Sequence, residues 1–133
     1  MLTRGKLANQ TGCNAETIRY YEKTGLIPQP ERSASGYRSY SAEHVRLLHF
    51  IQRAKTLGFS TEQIRSLIEL NLAGEEHTRA EVKSLTQDHI DGISQKISDL
   101  KKIRKRLQQI SAYCDGSSAS AKGCPILSTL FAD

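Results

Sequence analysis

The feature that most constrains this chain is a long stretch, residues 78–113, that carries one narrow apolar stripe. The stripe recurs at steps of three and four, the spacing of a coiled-coil seam. Its members are Ile90, Ile93, Ile97, Leu100, Ile103, Leu107 and Ile110. A capping box, Thr78-Arg79-Ala80-Glu81, marks where the helix begins. A helix of roughly 35 residues with one seam is not stable alone. The simplest solution is an antiparallel coiled-coil homodimer, because two-fold dimers are the commonest assembly.

The composition agrees with an elongated protein. Of 133 residues, 38% are hydrophobic and 6% aromatic, with no Trp, which is lean for a single globule. A run of about 18 apolar residues is missing, which argues against a membrane span. The first residues lack the apolar segment of a secretory signal. We therefore expect a cytoplasmic protein with no membrane partner, in which Cys13, Cys114 and Cys124 are reduced.

The positive charge is concentrated in the first part of the chain. Residues 1–60 hold nine Lys and Arg against four Glu, whereas residues 61–133 hold ten cations and ten anions. The net charge of +5 therefore belongs to residues 1–60. A field of one sign on one module indicates a polyanionic partner such as nucleic acid. A solubilising surface would produce the same count, so both interpretations stay open on charge alone.

Short helices separated by turns fill residues 1–76. A first helix over residues 2–10 is followed by the turn Thr11-Gly12-Cys13 and by a second helix that Asn14 caps. Helix, tight turn and helix in this order are typical of a helix-turn-helix DNA reader. On the second helix, Ile18 and Tyr21 share one face, and we expect them in the core.

Turn residues around Gly36, followed by alternating polar and aromatic residues up to Tyr40, predict a small hairpin, or wing. Ser41 caps a third helix that ends at Gly58. The capping box Ser60-Thr61-Glu62-Gln63 opens a fourth helix, and residues 71–76 form a linker. We expect the histidines at positions 44, 49 and 89 at the surface or in the seam.

After Tyr113 the helical pattern stops. Cys114 and Cys124 bracket a loop rich in Gly and Ser, and a short helix begins at Pro125. Two thiols suit a soft metal ion, and a structural zinc site would normally have four ligands. Nine residues lie between the two thiols, so both could hold one ion in a linear geometry, which suits monovalent d10 ions. Oxidation of the same pair to a disulfide is the alternative. An enzyme is not expected, since no nucleophile with a base and an orienting group is visible.

Four blocks in order, residues 11–22, 25–27, 36–40 and 57–60, resemble the MerR family of bacterial transcription regulators. Cys124-Pro125-Ile126-Leu127 is similar to the metal-efflux members, especially the copper and zinc branches. The resemblance implies a mainly α fold: an N-terminal winged helix-turn-helix with a connecting helix pair (1–76), a long antiparallel coiled-coil dimerisation helix (77–113), and a C-terminal cysteine loop with a short helix (114–133).

The resemblance also implies the function. A homodimer binds promoter DNA, and effector binding distorts that DNA so that RNA polymerase can use promoter elements spaced too widely for it. The DNA-binding residues that the resemblance implies are Thr17, Arg19, Tyr20, Tyr37, Arg38, Arg53 and Lys55. Arg19 is the candidate for base readout, because a guanidinium matches the edge of guanine with two bonds; a phosphate contact is the alternative.

For the effector, the resemblance implies Cys114 and Cys124 as metal ligands, with Cu(I) or Ag(I) favoured and Zn(II) as an alternative. Sensors of divalent ions (Zn, Cd, Hg or Pb) add a third cysteine at the start of the partner's dimerisation helix, where the copper branch has serine. Arg79 stands there in this chain. Arginine cannot be a ligand, so we hypothesise that it balances the charge of a bis-thiolate complex. The alternative for Arg79 is a surface ion pair with Glu76. The neighbouring His77 is a candidate metal ligand, or a residue that hydrogen-bonds to a ligand.

Overall fold

The computed structural model describes residues 1–132, in which six α-helices and one two-stranded antiparallel sheet form. The helices are α1 (Arg4–Thr11), α2 (Ala15–Lys23), α3 (Ala42–Thr56), α4 (Thr61–Leu72), α5 (Arg79–Ser111) and α6 (Pro125–Phe131). The wing consists of β1 (Glu31–Arg32) and β2 (Arg38–Ser39), and a 3-10 turn (Gly74–Glu76) precedes α5. The mainly α fold with a winged helix-turn-helix and a long helix is confirmed.

The residues fall into two compact units, Met1–Val82 and a second unit that begins at Lys83. The division of the chain at residues 76 and 113 into three functional parts stays a prediction.

The first four helices of the first unit share one apolar core. Leu7, Ile18, Ile51 and Ile64, one from each helix, are all at most 1% exposed. Burying a side chain of this size contributes about 1.5–3 kcal/mol. Ile18 and Tyr21 both lie in this core, as the sequence predicts.

The turn between α1 and α2 is closed by local hydrogen bonds. Gly12 adopts φ 72°, and its N–H donates to the carbonyl of Ala8, which ends α1. That left-handed conformation favours glycine. The Thr11 hydroxyl donates to the carbonyl of Leu7 and accepts from the N–H of Cys13. Asn14 then caps α2, as predicted, by accepting from the N–H of Glu16 at 2.7 Å.

Leu2 was expected in the first helix, and this is wrong. Its main chain pairs instead with Tyr40, just after β2, through hydrogen bonds of 2.9 and 2.8 Å. The helix begins only at Arg4, because the Thr3 hydroxyl caps it by accepting from the N–H of Lys6. The first residues of the chain are thereby attached to the wing.

His44 was expected at the surface or in the seam, and this is also wrong. Its side chain is 6% exposed and stacks edge-on against Tyr40. The N–H of Ser41 donates to Nδ1 at 3.2 Å, which fixes the neutral tautomer in which Nε2 donates to the carbonyl of Pro28 at 3.0 Å. His44 thus takes the place of the usual Glu or Gln in a capping box and joins α3 to the segment after α2.

The apolar seam of α5 is confirmed as a continuous helical stripe, and most of it is exposed. From Ile90 to Leu107 its residues are between 38% and 63% exposed, and Ile110 is buried. Side chains of the seam from Ile97 to Leu107 line a shallow concave surface. Such a stripe gains stability only when a second apolar surface covers it. No helix within residues 1–132 is long and apolar enough to cross a bilayer.

Replacing His44 by Gln should cost about 1 kcal/mol of unfolding free energy, since the amide keeps the capping box but loses the Pro28 carbonyl. His44→Ala removes both bonds and the contact with Tyr40, and should cost about 2–3 kcal/mol. Urea unfolding followed by circular dichroism measures both values. Equal losses for the two variants would contradict the capping role.

Candidate metal centre and DNA interface

The loop between α5 and α6 brings its two cysteines together. The Sγ atoms of Cys114 and Cys124 lie 4.0 Å apart, and neither is oxidised. Successive side-chain turns curl the loop: Asp115 Oδ1 accepts from the N–H of Ser117 at 3.0 Å, and Ser120 Oγ accepts from that of Lys122 at 3.2 Å. Both cysteines and most of the loop residues between them line a concave surface. This arrangement can present two sulfur donors to one ion.

Cys124 occupies the position that caps α6, immediately before Pro125. The side chain makes no capping hydrogen bond, but the nearby main-chain N–H groups of Leu127 and Ile126, with a smaller contribution from Cys114, lower the pKa of the Cys124 thiol. Donors at a helix N-terminus stabilise negative charge. The thiolate, which is the form that binds metal, is therefore favoured at Cys124.

Cys13 has the opposite environment. It packs against the core beside the turn between α1 and α2, and burial raises the pKa of its thiol. Cys13 therefore acts as a small apolar side chain of the core.

The start of α5 carries the predicted capping box. Thr78 Oγ1 accepts from the N–H of Glu81 at 3.2 Å, and Glu81 Oε2 accepts from the N–H of Thr78 at 3.1 Å. The same Oε2 lies 2.7 Å from Nδ1 of His77. The Thr78 N–H and then His77 lower the pKa of the Glu81 carboxyl. When Nδ1 donates to this carboxylate, Nε2 is the ring nitrogen left to face a ligand, the arrangement that histidine ligands adopt in metal sites.

Arg79 is the first residue of α5 and is exposed. It forms no ion pair with any residue in the described part of the chain, so the expected alternative of a pair with Glu76 is not observed. Across residues 1–132, no three His, Cys, Asp or Glu side chains of one chain cluster at a common point. One chain therefore supplies two sulfur donors at the loop.

Six of the seven residues proposed for DNA contact are exposed, and Thr17 is half-buried. Arg19 and Tyr20 lie on α2 away from its buried face, with Tyr20 54% exposed. Tyr37 and Arg38 project from the wing. On α3, Lys55 donates to the Thr61 hydroxyl at 3.3 Å, and Arg53 lines a groove that α3 shares with α4. Their contacts with DNA stay a prediction.

Sequence reasoning missed a buried polar network in the same unit. The Tyr40 hydroxyl donates to Glu22 Oε1, and Arg4 Nη2 donates to Glu22 Oε2 at 2.9 Å. Arg4 Nε also donates to the Tyr40 hydroxyl at 3.1 Å. A signal was present, because Glu22 lies four residues after Ile18 and therefore on the core face of α2. A carboxylate on such a face needs a partner.

Two family models match the chain: "MerR HTH family regulatory protein" over residues 2–70 and "MerR, DNA binding" over residues 45–110. A mercuric resistance operon regulatory protein of Bacillus cereus is 42% identical, with 95% of this chain and 94% of that protein covered.

Solved structures agree with this assignment. The regulator PbrR691 of Ralstonia metallidurans, in complex with lead(II), matches with a TM-score of 0.86 and 32% identity over 98% of this chain and 99% of that one. HiNmlR, a MerR family regulator bound to promoter DNA, matches with a TM-score of 0.58 and 28% identity over 84% of each chain. The relatives are transcriptional regulators, and the chain belongs to the MerR family of helix-turn-helix regulatory proteins.

Proposed function

We propose that this protein is a homodimeric transcriptional activator in which Cys114 and Cys124 hold a soft metal ion, with Cu(I) or Ag(I) favoured. Metal-responsive regulation through DNA binding is common among its relatives. The observation that carries binding of a soft ion at the loop, whichever ion it is, is the 4.0 Å separation of the two sulfurs. Thiolates are the ligands that soft ions prefer over hard oxygen donors.

The number of donors favours a monovalent ion. Each loop offers two thiols, and zinc sites normally use three or four protein ligands. In a linear complex with bonds of about 2.3 Å the sulfurs would be about 4.6 Å apart. Side-chain rotation at the partly exposed Cys114 and Cys124 can supply the remaining separation.

Arg79 fits this choice of ion. Two thiolates around a monovalent cation carry a net charge of −1, which a nearby guanidinium would balance. In an antiparallel pair of α5 helices, the start of each helix lies beside the end of its partner. The exposed and unpaired side chain of Arg79 is then a candidate counter-ion for the loop of the second chain.

A divalent ion is the second candidate. At bonds of about 2.3 Å, a three-coordinate ion with angles near 120° would hold its sulfurs about 4.0 Å apart, which is the observed separation. Nε2 of the partner's His77 would be the third ligand, with Glu81 fixing its ring. The mercuric and lead(II) relatives favour this candidate.

Thiol oxidation is a third way in which the same loop could act. The lowered pKa of Cys124 makes it the nucleophile that would attack a peroxide, the two-electron oxidant, to give a sulfenic acid. The thiol of Cys114 would then displace water from that sulfur to complete the disulfide.

The proposal for the DNA is the same for every effector. Thr17, Arg19 and Tyr20 enter the major groove or contact its phosphates. The groups proposed for the DNA backbone are Tyr37, Arg38, Arg53 and Lys55. Bending and untwisting through these contacts would let RNA polymerase engage the promoter.

Titration of the reduced dimer with Cu(I), Ag(I), Zn(II) and Hg(II) tests the metal proposal. We expect one Cu(I) or Ag(I) per chain, with activation of in vitro transcription that Cys114→Ser and Cys124→Ser each abolish. Cys13→Ser is the matched control and should respond like the wild type. A stable three-coordinate Zn(II) or Hg(II) complex that switches transcription would overturn the monovalent choice. Activation by mild oxidation without metal would favour the disulfide.

Replacing Arg79 by Ser tests the counter-ion. We expect affinity for Ag(I) to fall about two- to five-fold, the size of one helix-end charge effect, while affinity for divalent ions stays equal or rises. Lys83→Ser, which removes an exposed cation one turn further along α5, should change neither. Metal competition assays measure both affinities. Unchanged affinity and selectivity in Arg79→Ser would exclude the counter-ion role.

Alkylation by iodoacetamide, followed site by site with mass spectrometry, tests the environment of Cys124. Its lowered pKa means that the thiolate, and with it the rate, should reach half-maximum at a lower pH than an ordinary thiol near 8.5. Cys13, whose pKa is raised, should do so at a higher pH.

Leu127→Pro removes one N–H donor in the first turn of α6, where proline is tolerated, and should move the Cys124 midpoint upward. Leu127→Ala keeps the N–H and should not. Equal midpoints for Cys13 and Cys124 would contradict this description.

A further inference from the structure

The wing and the start of α1 enclose a concave surface rich in arginine. It is lined by Thr3, Arg4, Arg32, Gly36, Tyr37 and Arg38. Three arginines thus line this wing concavity, and no Asp or Glu among the described residues lines it. Arg32 Nη1 donates to the carbonyl of Gly36 at 2.9 Å. Like charges gathered on one surface repel each other and create a strong field for an anion. The anion that a DNA-binding unit meets is the phosphodiester.

Arg4 differs from the other two arginines because buried groups hold it. Nη2 donates to Glu22 Oε2 at 2.9 Å, and Nε donates to the Tyr40 hydroxyl at 3.1 Å. Glu22 is 4% exposed and Tyr40 fully buried, so both acceptors belong to the core. The Arg4 side chain itself remains 18% exposed and reaches the wing concavity.

The guanidinium of Arg4 has donors left for a ligand. Arginine carries five N–H groups in a planar fork, and two of them are used by Glu22 and Tyr40. An arginine already held in one orientation loses less side-chain entropy when it binds phosphate than a mobile one.

We propose that Arg4 is a DNA-backbone contact, with Glu22 and Tyr40 as the positioning residues that hold its guanidinium in the wing concavity. This inference rests on the DNA-binding function and adds to it a residue at the start of α1. The main chain of Tyr40 also pairs with Leu2 beside the wing. The same network therefore sets the position of Arg4 relative to the wing residues Tyr37 and Arg38.

Binding of the full-length dimer is measured by fluorescence anisotropy over a series of salt concentrations. The probe is a duplex that the wild type selects from a random library. Glu22→Gln keeps a hydrogen-bond acceptor for Arg4 and should keep the salt slope. The double variant Arg4→Gln/Glu22→Gln retains a neutral bonded pair but lacks the charge. Its slope should fall by about 0.9 per phosphate contact, hence by about two per dimer, with an affinity loss of about ten-fold or more at low salt.

Glu22→Ala tests positioning separately. Removing an acidic group normally strengthens binding to DNA, whereas loss of the hold on Arg4 should weaken it several-fold relative to Glu22→Gln. Lys6→Gln, which removes an exposed cation of α1 outside the concavity, should change the slope less than the double variant. Thermal melting shows whether each variant is folded. If Glu22→Ala is unfolded, the comparison of Glu22→Gln with the double variant still tests the role of Arg4.

An unchanged slope in the double variant, or an equal loss in Lys6→Gln, would overturn the role of Arg4. Equal affinities of folded Glu22→Ala and Glu22→Gln would overturn the positioning role. Failure of the wild type to bind DNA with any salt dependence would instead count against the DNA-binding function.

Discussion

The buried carboxylate of Glu22 is the constraint on which the DNA-reading unit depends. Removing a charge from water costs several kcal/mol unless it is paired and hydrogen-bonded. Arg4 and the Tyr40 hydroxyl meet that requirement, one oxygen each. Because these partners come from α1 and from the residue after β2, the pairing fixes α2 against both neighbours. The exposed face of α2 is therefore held by a rigid support.

The sequence could predict the features that depend only on residues close together in the chain. The capping boxes at Ser60 and Thr78 depend on residues three positions apart. The seam of α5 depends on a repeat within one helix. Both are confirmed because no distant residue alters them.

What the sequence could not predict depended on partners far along the chain. Leu2 looked helical by propensity, yet pairing with Tyr40 outweighed that preference. His44 looked like a surface residue, yet the Pro28 carbonyl gave its ring a buried partner. For the candidate metal centre, sequence spacing identified Cys114 and Cys124. The distance between their sulfurs and the N–H groups near Cys124 could not be inferred from spacing, because both depend on how the loop and α6 fold.

The place of Cys124 has a thermodynamic consequence. Cys124 is both the N-cap residue of α6 and half of the thiol pair. A change of charge on its sulfur therefore acts beside the first turn of α6, where the helix N-terminus favours negative charge. Contacts of the exposed Leu130 and Phe131 that stabilise the short helix would then be coupled to binding at the thiols, and linkage makes such a coupling reciprocal.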